Sequence, residues 1–267
     1  MILASASPLT LTLALVACVS YATAGLGTKL MQTELTRLAA LVAWLAHGGL
    51  LALNVFNPSP EFGFAPALSV TAWLVGLVYA VESWYYPQLT THWLLLAFGA
   101  ASVALALIFP GNLLHPNASA WLPLHWAFGI ASYSMFAVAV VHAWLMSRAE
   151  TRIRSAVGDA TGLPLLTMER LTFRFVSVGF VLLSATLLAG FLFGSQLYGP
   201  KHALKLDHKT AFSALSWLTF LALMLGRARF GWRGKRAIRV LYAGAALLLL
   251  AYVGSSFVIE VILERTL

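Results

Sequence analysis

Charge is what this chain most lacks. Only 10% of its 267 residues are charged, against about a quarter in a typical soluble domain. That deficit excludes an ordinary soluble globule and a disordered chain. Cysteine is nearly absent as well: Cys18 stands alone, so no internal disulfide and no thiolate metal cluster can form. H-x-x-H and C-x-x-C spacings, paired catalytic carboxylates, a Ser/His/Asp pattern and a phosphate loop are all missing, and with them any pointer to hydrolysis or phosphoryl transfer. Strict alternation of apolar and polar residues is missing too, which excludes an outer-membrane barrel.

What remains is long apolar runs. Hydrophobic residues make up 60% of the chain and the mean hydropathy is +0.85. Eight runs, over 5–25, 36–56, 64–83, 91–109, 124–147, 171–194, 208–226 and 238–260, are each close to the length of a membrane span. Turn signals separate them: Gly25-Leu26-Gly27, Asn57-Pro58-Ser59-Pro60, Tyr85-Tyr86-Pro87, Pro110-Gly111-Asn112 and Gly231-Trp232-Arg233-Gly234. The expected fold is all-α, a polytopic transmembrane bundle of about eight spans forming one domain over residues 1–267. Leu15-Val16-Ala17-Cys18 resembles a lipoprotein processing site, but no Lys or Arg precedes it, so the first run is expected to remain as a span.

The net charge of +8 has a membrane explanation rather than a nucleic-acid one. Thirteen of the 17 basic residues fall beside the loops after spans 1, 5 and 7, and only Lys201, Lys205, Lys209 and Arg265 fall on the other side. Positive charge marks the cytoplasmic face. Both termini are therefore expected outside the cytoplasm, with residues 148–170 as the longest cytoplasmic loop.

Ionisable groups inside hydrocarbon are costly and mark candidate sites. His47 lies near the middle of span 2, with Asn54 seven residues on and on the same face. It could ligate haem or another metal, relay protons, line a solute path with Asn54, or simply bond across a helix pair that Gly48 and Gly49 bring close. His125 opens span 5, with Gly129 and Tyr133 on its face, and His208 opens span 7 at the same depth. Two histidines at one level could hold iron between them, or could both be wet interfacial residues. His92, His115, His142 and His202 look like interface or loop residues, and Glu82 like a boundary residue. Gly190-Phe191-Leu192-Phe193-Gly194 reads as a packing face, and Ser177 and Ser184 as helix-to-helix hydrogen-bonding groups.

The second half carries a likeness. Leu124-His125 with Ser132-Tyr133 opens span 5, and Leu163-Pro164-Leu165-Leu166-Thr167-Met168-Glu169-Arg170 precedes span 6. Asp207-His208-Lys209-Thr210 begins span 7, and Gly231-Trp232-Arg233-Gly234-Lys235-Arg236 fills the last tight loop. In this order, over about residues 120–260, they resemble the cytochrome c assembly protein family of CcsA/ResC-like haem-handling membrane proteins, in its YpjD-like inner-membrane branch. The resemblance implies a multi-pass protein of the bacterial inner membrane. Its implied task is to present haem on the outer face for attachment to apocytochrome c, alongside other assembly components and without an enzymatic step of its own. It implies a tryptophan-rich external loop between spans 6 and 7, and external histidines as haem ligands. His125 carries over as a ligand to haem iron; His208 stands where the family has a proline; His47 is the mid-span histidine. The departures are plain. Residues 195–206 hold no tryptophan, Leu225-Gly226-Arg227 stands where a histidine is expected, and Glu264-Arg265-Thr266-Leu267 supplies none. A small-solute or ion transporter, or a non-catalytic accessory membrane protein that has lost haem ligation, is the alternative.

Overall fold

A computed structural model of the chain describes residues 7–29, 33–58, 60–86, 93–113, 121–155, 164–198 and 208–258. His92, His115, His202 and the loop after residue 198 lie outside the described residues. The helices gather in two compact units, residues up to 116 and residues 117–263.

The first unit holds α1 (Pro8–Lys29), α2 (Thr33–Val55), α3 (Phe64–Tyr85) and α4 (Trp93–Ile108). Helix α1 starts where it does because Ser7 caps it: its hydroxyl accepts the Thr10 N–H at 3.1 Å, and Pro8 occupies the first helical position. Small residues (Ala14, Ala17 and Ala24 of α1; Ala39, Ala43 and Ala46 of α2) bury almost completely, so the two helices approach closely. Helix α4 packs on α1 and α3. A two-strand ribbon, β1 (Glu61–Phe62) against β2 (Asn112–Leu113), ties the start of α3 to the end of α4. Asn54 anchors it from α2, donating to the Glu61 carbonyl at 2.8 Å and accepting its N–H at 3.2 Å.

The second unit holds α5 (Leu122–Arg154), α6 (Leu165–Tyr198), α7 (His208–Phe230) and α8 (Gly234–Leu249). A π segment, Leu250–Gly254, and a short α9 (Ser255–Phe257) continue α8. Phe136 of α5 and Phe220 of α7 stack at 3.8 Å and fill the centre, with Leu223, Leu241 and Val176 buried around them. The Ser216 hydroxyl crosses to the Gly244 carbonyl at 2.9 Å, and Trp217 Nε1 donates to Ser184 Oγ at 2.8 Å. Ser184 is therefore a helix-to-helix group as expected. Ser177 bonds the Phe173 carbonyl of its own helix at 2.8 Å and also reaches Met224 Sδ of α7 at 3.8 Å.

Seven helices among the described residues are long and apolar enough to cross a membrane, and α4, with 16 residues, is shorter. At 1.5 Å per residue α4 spans about 24 Å, somewhat less than the hydrocarbon core. Large apolar side chains such as Leu15, Val181, Phe191 and Phe230 face outward, a surface that only lipid tolerates. The one marked departure from expectation is the segment 148–170. Helix α5 runs on to Arg154 and α6 begins at Leu165, so helix occupies most of what the charges suggested was loop.

The turn from α7 to α8 is built around two glycines. Gly231 adopts φ +61°, and the Trp232 N–H then bonds the Gly226 carbonyl at 3.1 Å. This folds the Trp232 ring onto Gly226 so tightly that a Cβ there would lie 2.3 Å from it. Gly226→Val is expected to lower the melting temperature of the detergent-solubilised protein, at a cost of roughly 1–3 kcal/mol. Adding Trp232→Ala, which empties the space, should return part of that loss; two losses that simply add would refute the close contact.

Candidate functional site

His47 is completely buried in the first unit. Its Nδ1 lies 3.1 Å from the Tyr21 hydroxyl of α1, and its Nε2 lies 2.7 Å from the Ser69 hydroxyl of α3. A neutral imidazole has one donor and one acceptor nitrogen, and two hydroxyls satisfy both. One turn away, Trp44 and Trp73 stack at 4.7 Å, each indole N–H donating to the other's backbone carbonyl at 3.1 Å. The pairs Trp44/His47 and Ser69/Trp73 thus form one polar seam between α2 and α3. Iron at His47 would have to displace a hydroxyl from a buried nitrogen, so this histidine as built does not fit a haem ligand. Its place is that of a three-helix clamp. Asn54, its expected companion, holds Glu61 instead.

His125 is placed differently. It lies in the first turn of α5, where Pro123 stands at the helix start and the His125 N–H bonds the Trp121 carbonyl at 3.0 Å. The ring lies against α6: a Cβ on Gly190 would come within 3.5 Å of His125 Cε1. Gly190, expected to serve helix packing, is what admits the imidazole. Trp121, one turn back, is half exposed and stacks on Phe193 of α6 at 5.4 Å with the rings 7° from parallel. A partly buried imidazole beside an exposed aromatic plate fits a flat, apolar, iron-bearing ligand.

His208 is the first residue of α7 and is exposed. Both α5 and α7 begin at the same end of the second unit, since α6 runs back between them. At that end Lys209 lies 5.7 Å from the Tyr252 ring and Tyr252 lies 6.3 Å from Tyr133. Tyr133 donates to the Leu248 carbonyl at 2.8 Å, next to the π segment. A π turn interrupts the regular backbone ladder, and the phenol bonds the helix at that interruption. Among the described residues no three His, Cys, Asp or Glu side chains gather as a metal site. His142 is buried, edge-on to Phe175 at 5.5 Å, and Glu82 is buried near the end of α3 rather than facing water.

At the opposite end of the second unit the remaining quoted motifs meet. Glu169, from the Met168-Glu169-Arg170 stretch, accepts a hydrogen bond from Arg227 at 2.7 Å and lies 3.8 Å from Arg233 of the α7–α8 turn. Arg227 also covers the Phe173 ring at 3.7 Å, and Arg236 covers Trp232 at 4.1 Å.

Fold and surface together define a polytopic helical membrane protein. The cytochrome c assembly protein model matches residues 33–263. The chain belongs to that family. It is 27% identical over 232 residues to the inner membrane protein YpjD of Escherichia coli K12, covering 84% of this chain and 86% of that one. An uncharacterised 28.8 kDa protein of Azospirillum brasilense is 34% identical over 147 residues, covering 54% of this chain and 53% of that protein. The cytochrome c biogenesis protein CcsA of Prochlorococcus marinus is 29% identical over 90 residues, covering 34% of this chain and 28% of that protein. No solved structure matches.

The clamp has a direct consequence. His47→Ala removes both bonds, and Ser69 can turn its hydroxyl to its own helix, but the Tyr21 phenol is left stranded. We expect a loss of roughly 1–3 kcal/mol, measured as a lower melting temperature in detergent; an unchanged melting temperature would contradict the clamp.

Proposed function

We propose that this protein holds haem at the histidine-bearing end of its second unit and passes it on during cytochrome c assembly, in the inner membrane of a bacterium. His125 is the ligand to haem iron, and His208 is the second, exposed imidazole at that end. The observation that carries this is His125 itself: Gly190 gives its ring room against α6 while the Trp121–Phe193 stack offers a flat apolar face one turn away. Haem supplies the redox-active iron when bound. The chain's own residues would position it: His125 would ligate the iron, the Trp121–Phe193 stack would offer an apolar face, and Lys209 would offer a cation to a propionate. In this reading the protein acts as a carrier rather than as an enzyme. Apocytochrome c and other assembly components are the partners this role requires.

The orientation that suits this task places the arginine-rich ends in the cytoplasm and the histidine-bearing end outside. The short α4 crosses with the others if the bilayer thins locally around it, at modest cost. Both termini are then external. Alkaline phosphatase fused behind Leu267 should be active on intact cells, and activity confined to the cytosol would overturn the outward placement of His125.

Haemin added to the purified protein should give a Soret band. His125→Ala should weaken it by tenfold or more in affinity, roughly the loss of one axial ligand, while His47→Ala should leave its position unchanged. A protein that stays colourless with haemin present would refute the proposal.

A further inference from the structure

The arginine-rich end of the second unit holds a cavity of about 630 Å³ with a mixed lining. Phe173, Ser177, Met224 and Ala228 supply apolar or small groups and Arg227 and Arg233 supply cations, with the Arg227 guanidinium lying over the Phe173 ring. The charges there do not balance. From the start of α6 to the start of α8 this end carries Arg170, Arg174, Arg227, Arg229, Arg233, Lys235, Arg236 and Arg239 against one acid, Glu169. One carboxylate therefore serves two guanidinium groups, and it serves them unequally. Arg227 has the 2.7 Å bond and is about a quarter exposed. Arg233 is 3.8 Å away at its Nε and its side chain is 69% exposed. Arg233 makes no hydrogen bond among the described residues, so its planar fork of donors is open toward the cavity and solvent, a shape suited to two oxygens of one anion.

Depth decides what kind of anion. Helix α6 has 34 residues, about 51 Å at the helical rise, against a hydrocarbon core of about 30 Å. Its arginine-rich start thus stands at headgroup level, with Phe173 and Ser177 one to two turns deeper. A small inorganic anion would satisfy Arg233 and leave the apolar groups uncovered. An anion carrying an apolar body would fill both.

We propose that this cavity binds the headgroup of an anionic phospholipid. Arg233 and the outer face of Arg227 take the phosphate, Phe173 and Met224 lie along the glycerol and upper acyl chains, and Glu169 holds Arg227 in place while competing with the lipid for both cations. The left-handed Gly231 and Gly234, at φ +61° and +57°, fix the turn that presents Arg233. The shared chemistry is phosphate capture by guanidinium, and a free phosphate is the other source of it.

The test is retention of lipid by the full-length protein. Purified protein is mixed with phosphatidylglycerol or phosphatidylcholine of identical acyl chains and washed, and bound lipid is counted by native mass spectrometry. The expected result is one retained phosphatidylglycerol under conditions that strip phosphatidylcholine. Arg233→Gln, which leaves the Glu169–Arg227 pair intact, should cut that retention about fivefold, one arginine's electrostatic share. Glu169→Gln should raise it, a direction that simple misfolding would not produce. Arg152→Gln, at the exposed end of α5 and outside the cavity, should change nothing. Equal retention of the two lipids would overturn the proposal, as would an Arg233→Gln protein that binds like the parent. Displacement of phosphatidylglycerol by millimolar inorganic phosphate would reassign the cavity to a free anion and likewise overturn it.

Discussion

Hydrocarbon offers no hydrogen bonds, so every polar group that this chain carries into the bilayer must find its partner within the protein. The structure meets much of that demand locally. Thr12, Thr23, Thr71, Ser134, Thr172 and Thr186 each donate to the carbonyl four residues back. Such residues cost little and say nothing about neighbours. Side chains too long or too stiff to fold back onto their own helix must reach another one, and these set the architecture. Trp44 and Trp73 exchange bonds between α2 and α3. Tyr133 reaches α8, Trp217 reaches α6, and His47 reaches two helices at once.

The same residue type therefore plays opposite parts in the two units. At mid-span His47 is enclosed, because an imidazole nitrogen without a partner is expensive there. At a helix start, where water and headgroups can solvate it, His125 keeps part of its surface open, which a ligand to iron requires. The second unit has also separated its polar work by end. Imidazoles and tyrosines collect where α5 and α7 begin, and guanidinium groups collect where α5 and α7 finish. Helix α6, long enough to reach past the hydrocarbon on both sides, carries Glu169 toward one end and Gly190 toward the other.

Much of this was legible in the sequence because hydropathy reports burial in lipid directly. All eight apolar runs correspond to helices, with bounds mostly displaced by a few residues. The larger errors have a common cause. Residues 148–154 hold three arginines and residues 165–170 end in Glu169-Arg170, so both resemble loop, yet arginine is a good helix former and its long stem can run along apolar surface while the charge stays wet. The α8 boundary was blurred in the other direction, since nothing in Leu250–Gly254 distinguishes a π turn from an ordinary one. The ribbon between Glu61–Phe62 and Asn112–Leu113 is too short for any periodicity to show.

Pairings were the part that one sequence could not disclose. His47 was visible as a polar residue in an apolar run, but which hydroxyls would meet it depends on how α1, α2 and α3 pack. Spacing held a clue, since Trp44 and His47 share one face of α2, and Ser69 and Trp73 share one face of α3. The two motifs around Glu169 and Gly231 were visible as words, separated by about sixty residues of chain. Their meeting follows from geometry: α6 and α7 run in opposite directions, so the start of one and the end of the other fall at the same level. A carboxylate placed at that level fixes Arg227 against Phe173 and leaves Arg233 turned outward. One of the motifs that carry the family likeness, Gly231-Trp232-Arg233-Gly234-Lys235-Arg236, is thus also the stretch that closes the α7–α8 turn, which explains its residue types by local physics whatever the turn presents to the lipid around it.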